Sequence, residues 1–174
     1  MARRIAIVFS LMLACQASAQ GLELFTYGPV FEDFGPHAVI DDIQFPADTK
    51  LAVAFDVSKA AAEGQTSRQL ETVARFLNMH AAAGIAREHL SAAIVVHGGA
   101  SFDLVVDEAR DTPNPNVSLI GALLEAGVSI QLCGQSAAYQ GIEPEDLLPG
   151  ITMSLSAMTA HALLQQRGYT LNPF

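Results

Sequence analysis

Short apolar runs that alternate with helical segments are the feature that most limits the fold this chain can take. Residues 51–55, 91–96 and 128–132 are nearly continuous apolar runs, as expected for strands covered on both faces. Helical patterns separate the runs, and consecutive parallel strands need such crossover connections. The sequence therefore predicts an α/β fold: a single three-layer domain with a mainly parallel sheet of about five strands flanked by helices. It does not determine the strand order.

Residues 66–83 carry the clearest helical pattern. Apolar side chains recur there at helical spacing, Thr66 and Gln69 have the spacing of a capping box, and Gly84 suits the end of a helix. Further helices are predicted at 117–126, with Asn116 as the cap, at 135–140 and at 157–167, with a helical turn at 144–148. Shorter strands are predicted at 102–106, 151–154 and 169–171.

The first residues predict a secretory signal peptide. Arg3 and Arg4 precede the apolar run 5–14, and Ala17-Ser18-Ala19 has the small-x-small pattern of a cleavage site. We expect cleavage after Ala19 and a periplasmic or secreted protein. A lipoprotein box ending at Cys15 is the alternative interpretation. The apolar run is shorter than the roughly 20 residues that span a bilayer as a helix, so no membrane span is predicted.

Charge excludes two classes of partner. The chain has 9 basic and 18 acidic residues and a net charge of −9, which loss of Arg3 and Arg4 would make more negative. An acidic surface with scattered basic residues does not bind nucleic acid or anionic membranes. It favours solubility or a basic partner.

Residues 20–49 differ in composition from the rest of the chain. Their prolines and glycines prevent long regular elements, and the stretch is strongly acidic, yet its aromatic residues give it surface to bury. We expect it to wrap the domain or to meet another subunit. The chain is thus predicted to consist of a signal peptide (1–19), an extended acidic N-terminal segment (20–49) and an α/β domain (50–174).

Cleavage would leave Cys133 as the single cysteine, at the end of one predicted strand and just before a helix. Reactive groups collect at the carboxyl ends of parallel strands, and a helix N-terminus stabilises a thiolate. Gly134 would let the chain turn and leave the sulfur uncrowded, while Gln135 and Ser136 could donate hydrogen bonds to it. The sequence predicts a nucleophilic thiol; an inert buried cysteine is the alternative.

His97 and Gly98 follow another predicted strand, where an imidazole could activate the thiol, and Asp56 ends a third strand in a similar position. The remaining histidines are predicted to be structural: His37, His80, His89 and His161. With no C-x-x-C, no zinc-binding spacing and no phosphate-binding loop, neither a metal nor a cofactor is predicted.

The residues around Ser136 allow one other enzyme class. Gly134 and Ser136 have the spacing of the first two residues of a nucleophile elbow, and Asp146 and His161 follow in the order of a serine hydrolase triad. Cys133 already occupies the end of the strand, which makes this the weaker hypothesis.

Residues 50–171 resemble the DsrE/DsrF-like family, which includes the sulfur-relay TusD-type proteins. The resemblance rests on the segment around Cys133 (127–136), on His97-Gly98-Gly99-Ala100, and on residues 147–151, 154–162 and 163–171. It implies a compact α/β domain that forms trimers or hexamers. It also implies that Cys133 accepts sulfur as a persulfide and passes it to a partner protein.

Two functions follow as hypotheses. The first is an exported sulfur-handling protein that accepts sulfane sulfur on Cys133 and exchanges it with a donor or acceptor protein. The second is an oligomeric module that binds a small molecule or a protein without catalysis, in which Cys133 is structural.

Overall fold

The structure, a computed structural model, describes residues 23–173; the predicted signal peptide, its cleavage site and Cys15 lie outside this range. Its centre is a five-stranded sheet in the order β6-β5-β4-β3-β7, in which all neighbouring strands are parallel. The strands are β3 (Leu51–Val57), β4 (Leu90–Val96), β5 (Ser129–Cys133), β6 (Thr152–Ser154) and β7 (Thr170–Asn172). The predicted α/β fold with about five parallel strands is confirmed.

Helices cover both faces of the sheet, which gives the three predicted layers. The helices are α1 (Arg68–Ala82), α2 (Val117–Glu125), α3 (Gly134–Gln140) and α4 (Ala157–Gln166). Phe55, Ile94 and Leu132 face the main core beneath α1 and α2. Ala54 and Ala93 point the other way and pack with Leu164 of α4. Alternation along each strand thus assigns Asp56, His97 and Cys133 to the α4 face.

Both predicted helix caps differ in the structure. Ser67, rather than Thr66, caps α1, and its hydroxyl accepts a hydrogen bond from the Leu70 N–H at 3.4 Å. Asn116 precedes α2 but makes no side-chain cap; its Oδ1 accepts from the Ser67 N–H at 2.7 Å instead. Asn116 is fully buried, and it connects the N-termini of α1 and α2 rather than capping α2.

The predicted strand at 102–106 is wrong. This segment belongs to a 3-10 helix, Gly98–Leu104, and forms only an isolated bridge between Val105 and Leu147. The amide of Asn114 donates to the carbonyls of Asp103 at 2.9 Å and Val105 at 2.8 Å. Those carbonyls are therefore not free to pair with a neighbouring strand.

Residues 23–49, called the arm below, pack against α1. The arm contains two short antiparallel strands, β1 (Phe25–Thr26) and β2 (His37–Ala38). Arg75 of α1 donates through Nε to the Pro36 carbonyl at 2.7 Å. Gly35 has a φ of +65°, and a Cβ there would overlap the backbone of Arg75. The arm therefore wraps the domain, one of the two expectations from its composition.

No helix within residues 23–173 is long and apolar enough to cross a membrane.

Candidate functional site

Cys133 lies at the predicted strand-to-helix turn. It is the last residue of β5 and the N-cap of α3, with extended backbone angles (φ −65°, ψ 114°). It pairs in register with Ser154 of β6. The side chain is 5% exposed and forms no disulfide.

Four donors surround the sulfur. The backbone N–H groups of Ser136, Gln135 and Ala157 and the hydroxyl of Ser136 lie close to it. Burial alone would raise the pKa of the thiol, but these nearby donors outweigh burial and hold the pKa of Cys133 below its usual value. Because Ala157 is the first residue of α4, the starts of α3 and α4 meet at the sulfur, where both helix dipoles favour a thiolate.

A second set of hydrogen bonds fixes the Ser136 hydroxyl. Ser136 Oγ accepts from the Gly98 N–H at 3.0 Å, so its own proton is available to the sulfur. The Gly98 carbonyl in turn accepts from Gln140 Nε2 at 2.7 Å. Gly98 has a φ of +57°, a conformation that favours glycine. The predicted residues Gly98, Ser136 and Cys133 thus form one connected group.

Gln135 and Gly134 contribute in ways that the sequence did not predict. The Gln135 side chain donates to the Leu155 carbonyl at 3.2 Å, and only its backbone N–H serves the sulfur. A Cβ at Gly134 would lie 2.7 Å from the Ser154 carbonyl oxygen. Gly134 therefore permits close contact with the end of β6.

Two imidazoles share the carboxylate of Asp56 on the same face of the sheet. His161 Nε2 of α4 lies 2.8 Å from Asp56 Oδ1, and His97 Nε2 lies 3.1 Å from Oδ2. Burial raises the pKa of Asp56, but the hydrogen bonds and charges of His97 and His161 outweigh it and lower the pKa. An ionised carboxylate only accepts hydrogen bonds, so each ring donates through Nε2–H and leaves its Nδ1 without a proton when neutral.

His97 lies beside Cys133 but is not bonded to it. Val96 pairs with Leu132 in neighbouring strands, so the next residues, His97 and Cys133, lie about one strand spacing (~5 Å) apart in the backbone. Within residues 23–173 no hydrogen bond joins His97 to the sulfur. The thiol is thus stabilised by N–H and O–H donors, and His97 is oriented by Asp56 instead.

Three further residues take positions that the sequence did not predict: His161, Ala157 and His37. His161, predicted to be structural, contacts the Asp56 carboxylate, and the backbone N–H of Ala157 is one of the donors near the Cys133 sulfur. His37 is buried, and neither of its ring nitrogens has a partner in the described structure.

The serine hydrolase hypothesis does not fit the contacts. Ser136 Oγ is bonded to Gly98, and His161 is bonded to Asp56. Asp146 accepts from the Glu143 N–H at 2.9 Å within a short 3-10 helix. The three residues of the proposed triad therefore do not form one. In the described part of the chain, no group of three His, Cys, Asp or Glu side chains has the geometry to hold a metal ion.

Comparison with known proteins identifies the family of the chain. The model of the DsrE/DsrF-like family matches residues 49–173. The chain belongs to the DsrE/DsrF-like family. This family is generally related to sulfur relay. Among curated proteins, none matches the chain.

Two solved structures share the fold of this family member. A protein of unknown function from Methanobacterium thermoautotrophicum, MTH1491, is 18% identical with a TM-score of 0.56; the match covers 72% of this chain and 100% of that one. The ychN protein from E. coli is 14% identical with a TM-score of 0.52, and the match covers 71% and 100% of the two chains. The family model begins at residue 49, the last residue of the arm.

Removal of the Ser136 hydroxyl tests the origin of the thiol pKa. We expect Ser136→Ala to raise the pKa of Cys133, because one donor to the thiolate is lost. The pH dependence of alkylation by iodoacetamide measures this pKa, and its midpoint should move to higher pH. Gln135→Ala is the matched control, since it keeps the backbone N–H that serves the sulfur. Equal midpoints for Ser136→Ala and wild type would contradict the assigned donor.

Proposed function

We propose that this protein is an exported, periplasmic sulfur carrier in which Cys133 accepts sulfane sulfur and holds it as a persulfide. The observation that carries the proposal is the set of four donors around Cys133, which favours the thiolate. A thiolate is the nucleophilic form of cysteine. Membership of a family related to sulfur relay supports the same chemistry.

The proposed transfer is an exchange at sulfur with no net oxidation. The Cys133 thiolate attacks the terminal sulfur of a donor persulfide, R–S–SH. The bond between the two donor sulfurs breaks as the new S–S bond forms on Cys133. The products are the Cys133 persulfide and the donor thiolate, R–S⁻. Attack by an acceptor thiolate on the terminal sulfur returns Cys133 to the thiolate.

His97 is suited to move the proton in this exchange. Its Nε2–H is held by Asp56, so Nδ1, once protonated, can give a proton to the departing donor thiolate. Asp56 acts as a positioning residue because it sets the ring orientation and tautomer. His161 shares the carboxylate from the opposite side.

The donor and acceptor are proposed to be proteins that meet the chain beside the cysteine. Cys133 is only 5% exposed, whereas Leu155 and Met158 next to it are 72% and 81% exposed. An exposed apolar surface at the site suits a protein partner or a second copy of the chain. The trimer or hexamer implied by the resemblance remains part of this proposal.

Sulfur loading of the wild-type protein tests the proposal. After incubation with glutathione persulfide, the intact mass should rise by one sulfur atom, and the peptide that contains Cys133 should carry it. Reduction with dithiothreitol should remove the added mass. If no sulfur is taken up, or if it resides on other residues, the proposal fails.

The low exposure of Cys133 favours a second candidate, a binding module in which this cysteine is structural. Such a module predicts slow alkylation of Cys133 at every pH in the folded protein. The carrier predicts alkylation that becomes fast above a lowered thiol pKa.

Substitution of Asp56 tests the role assigned to His97. We expect Asp56→Asn to slow sulfur exchange about tenfold to a hundredfold, because the amide is uncharged and has one acceptor oxygen where the carboxylate has two. The dependence of the exchange rate on pH should also change, since the proton-transferring ring is misoriented. Alkylation of Cys133 by iodoacetamide should be unaffected and serves as the internal control. The same rate and pH profile as wild type would show that Asp56 has no part in exchange.

A further inference from the structure

The arm and the end of α1 enclose an apolar groove far from Cys133. Its volume is about 450 Å³. Five large apolar side chains in its lining are substantially exposed: Val39 (57%), Ile40 (62%), Ile43 (52%), Phe45 (38%) and Met79 (40%). A soluble protein rarely exposes contiguous apolar surface of this kind unless something binds there.

The groove is unrelated to the cysteine site. The last turn of α1 lies at the edge where the strands begin, since the chain returns from α1 into the start of β4. Cys133 lies at the opposite edge, where β5 ends. In addition, α1 covers one face of the sheet and α4, next to Cys133, covers the other. Occupation of the groove therefore does not rest on the proposed persulfide chemistry.

The charge of the arm limits what can bind. Residues 23–49 contain no lysine or arginine, and their acidic residues are Glu23, Glu32, Asp33, Asp41, Asp42 and Asp48. Asp41 is itself part of the groove lining. The nearby Arg75 and Arg87 donate to backbone carbonyls of the chain. An occupant with lysine or arginine beside its apolar side chains would complement this surface.

The lining of the groove also offers hydrogen-bond acceptors. His80 donates through Nδ1–H to the Phe76 carbonyl at 2.8 Å, which leaves Nε2 as an acceptor. His37 is 3% exposed, and within the described chain neither of its ring nitrogens has a partner. Buried polar groups without partners are uncommon in native proteins. The Asp41 carboxylate and His80 Nε2 are acceptors, so they favour an occupant that supplies hydrogen-bond donors.

The extent of the apolar surface favours a polypeptide over a small molecule. Phe25 of β1 pairs with Ala38 of β2, so the exposed Leu24, Phe25 and Tyr27 continue the surface beyond the groove. A second copy of the chain fits poorly, because an arm-to-arm contact would place one acidic arm against another.

We propose that this groove docks a segment of another protein whose apolar side chains are flanked by lysine or arginine. The binding surface is built by the arm and the last turn of α1. The family model begins at residue 49, so the arm adds this surface to the shared domain.

A fluorescein-labelled synthetic peptide of leucine and lysine, patterned as an amphipathic helix, is a suitable probe. Fluorescence anisotropy should show binding that weakens as salt increases. Ile40→Ser with Ile43→Ser should weaken binding at least about tenfold, as expected for central apolar contacts. Asp41→Asn with Asp42→Asn should weaken it and reduce the salt dependence.

Two control pairs of substitutions elsewhere on the surface distinguish binding in the groove from nonspecific binding of the probe. Tyr139→Ser with Leu163→Ser removes exposed apolar surface, and Glu108→Gln with Asp111→Asn removes two charges. Both control pairs should bind the probe like wild type. The proposal is overturned if they weaken binding as much as the groove pairs do, or if a leucine–glutamate peptide of equal length binds equally well.

Two further results would reassign the groove. Dissociation of an oligomer by Ile40→Ser with Ile43→Ser, seen by sedimentation, would show that a second copy covers it. Displacement of the probe by dodecylamine together with an unchanged affinity in Asp41→Asn with Asp42→Asn would assign it to a small apolar ligand. Sulfur loading on Cys133 should be the same in all groove variants, so this test and that of the carrier function fail separately.

Discussion

Cys133→Ser is expected to abolish sulfur loading while leaving the protein folded. Cys133 is the single free cysteine in the described structure, and a serine hydroxyl neither ionises near neutral pH nor forms a persulfide. The serine oxygen can accept hydrogen bonds from the same donors, so we expect the melting temperature to stay within about 4 °C of wild type. Intact mass after treatment with glutathione persulfide should show one added sulfur in wild type and none in the variant.

A relocated thiol provides the control for this substitution. In Cys133→Ser with Tyr139→Cys, the thiol lies on α3, the helix that Cys133 precedes, at a position that is 91% exposed in the parent chain. It lacks the four donors, so it should load more slowly at neutral pH despite its greater exposure. Equal loading of Cys133→Ser and wild type would contradict the assignment of Cys133. Equal rates for the relocated and native thiols would show that the donors are irrelevant.

The central strands could be predicted because their pattern is local. Leu51–Val57, Leu90–Val96 and Ser129–Cys133 each overlap an apolar run with boundaries within two residues. A strand buried on both faces needs continuous apolar residues, and such a run is visible without knowledge of its neighbours. The order β6-β5-β4-β3-β7 could not be predicted, because it depends on which edge each crossover reaches.

The wrong strand at 102–106 shows where local pattern is insufficient. Its apolar residues are consistent with a strand, and Leu104 and Val105 are indeed buried. However, Asn114 binds the carbonyls of this segment from eleven and nine residues further along the chain. A side-chain amide that takes backbone carbonyls overrides the strand preference, and no spacing rule identifies it in advance.

The candidate site likewise contains residues that the local sequence identifies and residues that only the tertiary fold brings in. Cys133, Gln135 and Ser136 are neighbours in sequence, so the turn and its donors in α3 could be predicted from spacing alone, whereas the donor Ala157 of α4 could not. His97 and Asp56 follow from the rule that strand ends converge. His161 could not be predicted, because it contacts Asp56 from 105 residues away and only through the placement of α4.

Asn78 is a further residue that a helical pattern alone does not identify. It lies on the buried face of α1 and is fully buried, although its neighbours on that face are apolar. Its Oδ1 accepts from the Val30 N–H at 3.0 Å and the Phe31 N–H at 2.8 Å. Its Nδ2 donates to three carbonyls, those of Phe31 at 3.1 Å, Phe34 at 2.9 Å and Gly35 at 3.1 Å. Nδ2 carries two protons, so one of them is shared between two carbonyls, and the amide contacts five backbone groups of the arm.

Asn78→Ala is expected to lower the free energy of unfolding by about 3–5 kcal/mol, because it leaves several buried backbone groups without partners. Chemical denaturation measures the loss, and the melting temperature should fall by roughly 10 °C. Thr72→Ala on the same helix is the control; Thr72 bonds only within α1, so its loss should cost about 0.5 kcal/mol or less.

Phe31 is 6% exposed and packs in the main core, so the arm should unfold with the domain in one transition. A separate early transition, with proteolysis confined to 23–49, would show instead that the arm is an independent unit.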